Sequence, residues 1–334
     1  MLVGGTQRTA GVFDRDHERL YEAGVAAVLD TGTGTVREVL RHRDEAQVCG
    51  GAPGEVGHCL KGISRDGEAW LLNTERSLLW MDGSGEVTRR WSHPRLNDVH
   101  HALRHRDVLW VAATGMDTVL EVRGGEVHRE HHLGTGDTAP LGDWRARSRK
   151  PHEVHPNHLY VREGRVWVTC LHGRSAREVG GSGSLDVADE RVHDGVLHDG
   201  CVWFTTVDGR LVARDLETGA VRHSVDLKQT SPRSGPLGWC RGLVLDGEVA
   251  WVGLTRIRAT RWRQNLAWMR GVVRGRQDAT AHPTRVLGVR WATGEQIAEW
   301  EVEETGLHAL FGMEACDPSG APPHTETGEP REQQ

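Results

Sequence analysis

One short pattern recurs along the chain and restricts it to a repeat fold. The segments Val108-Leu-Trp-Val-Ala, Arg165-Val-Trp-Val-Thr, Cys201-Val-Trp-Phe-Thr and Val249-Ala-Trp-Val-Gly are rich in β-branched and aromatic residues. Each follows a polar turn: Arg106-Asp107, Glu163-Gly164, Asp199-Gly200 or Asp246-Gly247. Such segments read as strands that follow tight hairpins. Trp70, Trp110, Trp167, Trp203 and Trp251 head the pattern at intervals of 40, 57, 36 and 48 residues. A second pattern, strand, Gly turn, strand, follows most of them, as in Leu79-Trp-Met-Asp-Gly-Ser-Gly-Glu-Val and Ala213-Arg-Asp-Leu-Glu-Thr-Gly-Ala-Val.

A four-stranded unit of roughly 40–45 residues, repeated, is the signature of a β-propeller. One such sheet cannot cover both of its faces, so its neighbours must, and a large Trp in each unit suits that packing. The expected fold is all-β: a six-bladed propeller, with seven blades as the alternative, and inserted loops on one face. Units are expected near 9–42, 56–92, 97–133, 154–190, 191–227 and 238–302, the fourth degenerate after Thr169. Gly306-Leu-His-Ala-Leu-Phe-Gly-Met313 reads as one more inner strand that closes the ring with the N-terminal strands. The expected domain spans 1–316, and the Pro/Gly/Thr/Glu tail at 317–334 is expected to be disordered.

Three insertions break the period: Gly134–Pro151, the Gly/Ser-rich Leu171–Asp189, and Thr255–Thr284. The last carries seven arginines before its first acid, Asp278. Loops this long in a compact repeat fold are often functional.

Composition narrows the function. A net charge of −6 argues against a globally basic nucleic-acid binder. No apolar run approaches the ~18 residues of a membrane span, and Met1-Leu-Val-Gly-Gly-Thr-Gln-Arg has no apolar signal core. The expectation is a cytoplasmic protein with no membrane or nucleic-acid partner. The six Cys form no C-x-x-C pair, so they read as reduced and mostly buried, Cys240 included. Twenty His, by contrast, is an excess that asks for an explanation.

When the units are aligned on their Trp residues, His recurs about ten residues upstream, at the channel end of the inner strand. The matching segments are Gly57-His58-Cys59, Asn97-Asp-Val-His-His101, His152-Glu-Val-His-Pro-Asn-His158, Val192-His-Asp-Gly195, Gly238-Trp-Cys-Arg-Gly242 and Leu307-His-Ala-Leu310. His100, His101, His155, His158, His193 and His308 are therefore candidates for one axial site, where imidazoles suit a divalent Fe, Zn, Mn or Cu ion. Strand alternation divides them: His100 matches Asn157 and His193, while His101 matches His158 and Asp194. The two sets are alternatives unless the strands bulge. His17, His42, His105, His128, His131, His132, His198, His223, His282 and His324 fall on turns or outer strands and are expected to face solvent. Arg241 occupies the analogous place in its unit and suits a carboxylate or phosphate. Glu153 and Asp194 are the candidate acid–base or supporting carboxylates.

Of these segments, those from Asn97 onward, with Val252-Gly-Leu-Thr-Arg-Ile-Arg258, resemble the uncharacterised DUF4915-like family of bacterial propeller proteins over most of 95–313. That family has a D-I-H strand, an N-G-L strand, a P-H-S strand, and an R-G-L strand followed by V-G-L-S. His158 stands where the family has Gly. The resemblance implies a fold and no established reaction. In repeat style the chain is more distantly similar to streptogramin lyase and gluconolactonase propellers, which implies lyase or hydrolase chemistry at the axis. The expected function is a metal-dependent lyase, hydrolase or oxygenase acting on a small polar or anionic metabolite. The alternative is a non-catalytic propeller that binds a glycan or a protein partner through its loops.

Overall fold

The computed structural model describes residues 1–8, 21–44, 58–135, 142–145, 152–230, 237–256, 282–317 and 319–322. Among these described residues, twenty-four strands form six four-stranded antiparallel sheets arranged in a ring, a six-bladed propeller. The first blade contains β1 (Leu2–Arg8), β2 (Tyr21–Leu29) and β3 (Val36–His42). The second runs from β4 (Gly62–Asp66) through β5 (Ala69–Asn73) and β6 (Leu78–Met81) to β7 (Val87–Trp91). The third comprises β8 (Val99–His105), β9 (Val108–Ala113), β10 (Thr118–Arg123) and β11 (Glu126–His132). The fourth comprises β12 (Pro156–Arg162), β13 (Arg165–Cys170), β14 (Ser175–Glu178) and β15 (Ser184–Asp186). The fifth comprises β16 (Val192–His198), β17 (Cys201–Thr206), β18 (Arg210–Asp215) and β19 (Val221–Asp226). The sixth comprises β20 (Trp239–Asp246), β21 (Val249–Thr255), β22 (Arg285–Arg290) and β23 (Glu295–Glu301). The last strand, β24 (Ala309–Glu314), returns to the first blade and pairs with β1, from Leu2 opposite Glu314 to Thr6 opposite Ala309. The ring is thus closed by hydrogen bonds between the two ends of the chain, which removes an open edge.

The hairpin turns follow their residues. Glu163-Gly164 and Asp199-Gly200 both hold two consecutive positive φ angles, the geometry of the turn that matches strand twist. The Leu171–Asp189 stretch, expected as an insertion, instead supplies β14 and β15. Its Ser, Gly and Arg content hides a short hairpin whose pairing, Ser175 with Asp186 to Arg177 with Ser184, completes the fourth blade. Of the Gly134–Pro151 insertion, Trp144 lies fully buried beside the third blade, its N–H bonded to the Pro94 carbonyl at 2.6 Å. Residues 257–281 of the Arg-rich insertion lie outside the described residues. In the expected tail, Asp317 and Ser319 to Ala321 form a turn, and the Trp70 indole donates to the Gly320 carbonyl at 2.9 Å. The rest of that tail is outside the described residues.

The core sits between blades. Trp203 packs with Leu237, Leu243 and Leu254 of the next blade, and Trp251 with Val3, Val25 and Leu310 of the first. Trp167 and Trp110 likewise face the blade that follows. Trp70 differs: it meets Leu2, Ala26 and Val28 of the preceding blade, while Leu71 faces forward. It stands one place earlier in its strand than the others, and one residue of phase reverses the face. Among the described residues no helix is long and apolar enough to cross a membrane.

Candidate functional site

The six inner strands all run from the same end of the ring. Five of them carry a break in register near that end. The shifts fall between Val99 and His101, Pro156 and Leu159, His193 and Val196, Cys240 and Leu243, and, on β24, opposite Gly4 and Gly5, where Phe311 is skipped. A β-bulge places two successive residues where a regular strand places one, so neighbours need no longer face opposite ways. The two histidine sets separated by alternation are therefore brought together. One axial cavity is lined by Lys61, Ile63, His100, His101, Asn157, His158, His193, Asp194, Arg241, Phe311 and Met313. Gly242 completes the sixth-blade bulge at φ +80°, and a Cβ there would meet Met313 Cγ at 2.9 Å.

The imidazoles have distinct assignments. His101 Nδ1 accepts the Leu159 N–H at 3.2 Å, so its proton sits on Nε2, which donates to the Ile63 carbonyl at 3.1 Å. Both nitrogens serve neighbouring inner strands, and burial lowers its pKa to about 4. His158 stacks on that ring at 4.0 Å and is held well below the usual imidazole range by burial and by His101. His100 Nδ1 bonds Asn157 Oδ1, the residue at the same strand offset in the next blade, at 2.8 Å. His193 is held well below that range by burial and then by Arg241, and its buried Nε2 has no hydrogen-bond partner among the described residues. These rings are neutral at neutral pH.

Arg241 lines the cavity with its guanidinium carbon 5.0 Å from the centre of the Phe311 ring and 5.9 Å from that of Trp239. Asp194 sits at φ 56°. Its carboxylate accepts the Thr205 hydroxyl and, at 3.1 Å, the Gly242 N–H. Burial raises its pKa to about 6, against these bonds and Arg241. Lys61 is ion-paired directly with Asp98 and lies 3.0 Å from Glu75. Burial opposes its charge, but the two carboxylates outweigh it and hold its pKa above the ordinary value.

Other candidates lie elsewhere. His155 stands at the upper rim, edge-on to His100 at 4.8 Å, and bonds His152. Glu153 is exposed and turned outward, where it accepts the N–H and hydroxyl of Thr135. His308 accepts the Arg8 N–H on Nδ1 at 2.9 Å; burial lowers its pKa, with Glu303, Arg8, Arg256 and Arg41 as its charged neighbours. The Cys240 thiol is pushed well up by burial, which suits a structural role. His42, expected at the surface, is buried and bonds Asp44 at 2.8 Å. Lys61, Asp98, His152 and Phe311 were not singled out. Lys61 and Asp98 carried a readable signal, because each precedes an inner strand by one residue, at the channel end.

Among the described residues no three His, Cys, Asp or Glu side chains converge so that they could hold a metal ion. His101 is committed to backbone and His308 lies among other charges, so the donor set expected for Fe, Zn, Mn or Cu does not close here.

No family model matches the chain, and no curated protein matches it in sequence. Neither comparison supports the resemblance to the DUF4915-like family. Solved structures do match. A protein of unknown function from Bacteroides caccae overlays with a TM-score of 0.57 at 12% identity, covering 93% of this chain and 97% of that one. A chain of the nidogen/laminin complex overlays at 0.53 with 9% identity and the same coverage of both. Virginiamycin B lyase from Staphylococcus aureus overlays at 0.45 with 13% identity, over 73% of this chain and 70% of the lyase. The first two likenesses are of fold alone, and the third is too shallow to carry an argument.

Proposed function

We propose that this propeller is an enzyme acting by acid–base chemistry, of lyase or hydrolase type, on a small anionic metabolite held in the axial cavity. The observation that carries the reading is the pairing of Arg241 with His193. Arg241 lines the cavity together with His193, a neutral imidazole whose buried Nε2 has no hydrogen-bond partner among the described residues. Leaving such a nitrogen unsatisfied costs about 1–3 kcal/mol, which a polar ligand would recover. Arg241 binds the carboxylate or phosphate of the ligand through its planar fork. His193 exchanges a proton with the bound molecule, and the adjacent positive charge stabilises the anion that forms.

The test is calorimetry with a panel of small carboxylates, inorganic phosphate and neutral sugars. Anions should bind and sugars should not. Arg241→Lys should weaken binding by roughly tenfold or more, because it keeps the charge and loses the fork. Binding of neutral sugars, or anion binding that Arg241→Lys leaves unchanged, would overturn the reading.

A further inference from the structure

Two arginines meet on one indole at the channel end of the ring. Trp239, at the start of β20, lies 5.9 Å from the guanidinium carbon of Arg241 and 5.9 Å from that of Arg191. Both distances fall within the ~6 Å over which an aromatic ring attracts a cation. Arg191 comes from the neighbouring blade, one residue before β16. Lys61 holds the same place before β4, and Lys61 lines the axial cavity. Arg191 therefore stands at the mouth of that cavity, next to the wall that His193 and Arg241 form. The electrostatics agree: burial lowers the His193 pKa most, followed by Arg241, His100 and Arg191.

The two guanidiniums differ in what reaches them. Arg241 lines the cavity, whereas the Arg191 side chain is 33% exposed and open to a solute arriving from the mouth. Arg191 Nε donates to Glu190 Oε1 at 3.1 Å, and the Arg191 backbone N–H donates to the same oxygen at 2.8 Å. Among the described residues its Nη1 and Nη2 have no hydrogen-bond partner. Glu190 thus holds the guanidinium by one side and leaves its outer edge open. A carboxylate or phosphate can bind such an edge bidentately.

We infer that the ligand of the axial site is a short dianion, with one acidic group on Arg241 in the cavity and the second on the outer edge of Arg191 at the mouth. This rests on the anion-binding reading above and specifies its substrate class. Two guanidinium carbons that each lie 5.9 Å from one indole can be no more than twice that distance apart. A short chain spans them once each fork has met its oxyanion. Arg191 determines specificity, because a monoanion satisfies Arg241 alone and leaves Arg191 to water.

Two matched pairs isolate the second acidic group. Succinate differs from butyrate, and phosphoglycolate from ethyl phosphate, by a carboxylate in place of a methyl group. Calorimetry on the full chain should show the diacid of at least one pair binding roughly tenfold or more tighter than its partner. In Arg191→Gln that ratio should collapse toward one while the monoacid binds as before. Arg222→Gln removes the same charge from the outer strand β19 and should keep the ratio. Equal binding within both pairs, a preference that survives Arg191→Gln, or one lost equally in Arg222→Gln would overturn the inference and leave the anion site standing. If none of the four compounds binds, the anion site falls with it.

Discussion

Asp194 Oδ1 accepts the backbone N–H of Gly242 at 3.1 Å, joining the bulge of one inner strand to the bulge of the next. The other oxygen takes the Thr205 hydroxyl, and the Asp194 carbonyl takes that of Thr169 from the preceding blade. One residue therefore ties three blades together at the axis, and a carboxylate suggested by sequence as an acid–base group is engaged as a clasp.

Asp194→Asn should separate these roles. An amide presents one acceptor oxygen where the carboxylate presents two, so one of the two donors loses its partner. The expected loss is about 1–3 kcal/mol in urea unfolding, together with faster hydrogen exchange at the Gly242 amide. Unchanged stability and unchanged exchange would show that the bond contributes nothing.

The blade interfaces can be probed at Trp203, which is 1% exposed and packs against Leu237, Leu243 and Leu254 of the next blade. Trp203→Ala should cost about 3–5 kcal/mol, because the cavity forms where two sheets meet and neither can collapse into it. A loss within 1 kcal/mol, measured by denaturant titration, would mean that the interface repacks.

Much of this was legible in the sequence because propeller blades repeat. The interval between Trp residues marked the blades, and Leu307 to Met313 marked the closing strand. The histidine positions pointed to the axis. The bulges were not legible: a register shift leaves no residue signature beyond a Gly such as Gly242, and His100 and His101 therefore looked like alternatives. Nor was the use of each nitrogen. Whether His101 is a ligand or a strut depends on the Leu159 N–H, a backbone group from the adjacent blade that no side-chain pattern records. The fourth blade was misread because β14 and β15 are short and lack β-branched residues, so only pairing defines them.

His101 also fixes a pH dependence. Its folded pKa of about 4 lies below the unfolded value near 6.5, so the unfolded chain binds the proton first as pH falls. The stabilisation is complete above about pH 6.5 and is lost toward pH 4, the loss reaching about 2 kcal/mol at pH 5. Asp194, raised to about 6, and Glu314, raised to about 7, work oppositely: their shares are present at lower pH and lost as pH rises through those values. Because His100, His155, His158 and His193 are also depressed, acid should destabilise the protein overall. Melting temperatures from pH 7 to pH 5 should fall, and less steeply in His101→Gln. A flat profile for the native protein would contradict the buried, neutral imidazoles.

The most direct measurement is a crystal structure of the protein soaked with glycerate or phosphate. The account predicts the anion in the axial cavity, with its oxygens within hydrogen-bonding reach of the Arg241 guanidinium and of His193 Nε2. An anion found only on the outer surface, with Arg241 turned away from an axial cavity filled by water or protein, would contradict it.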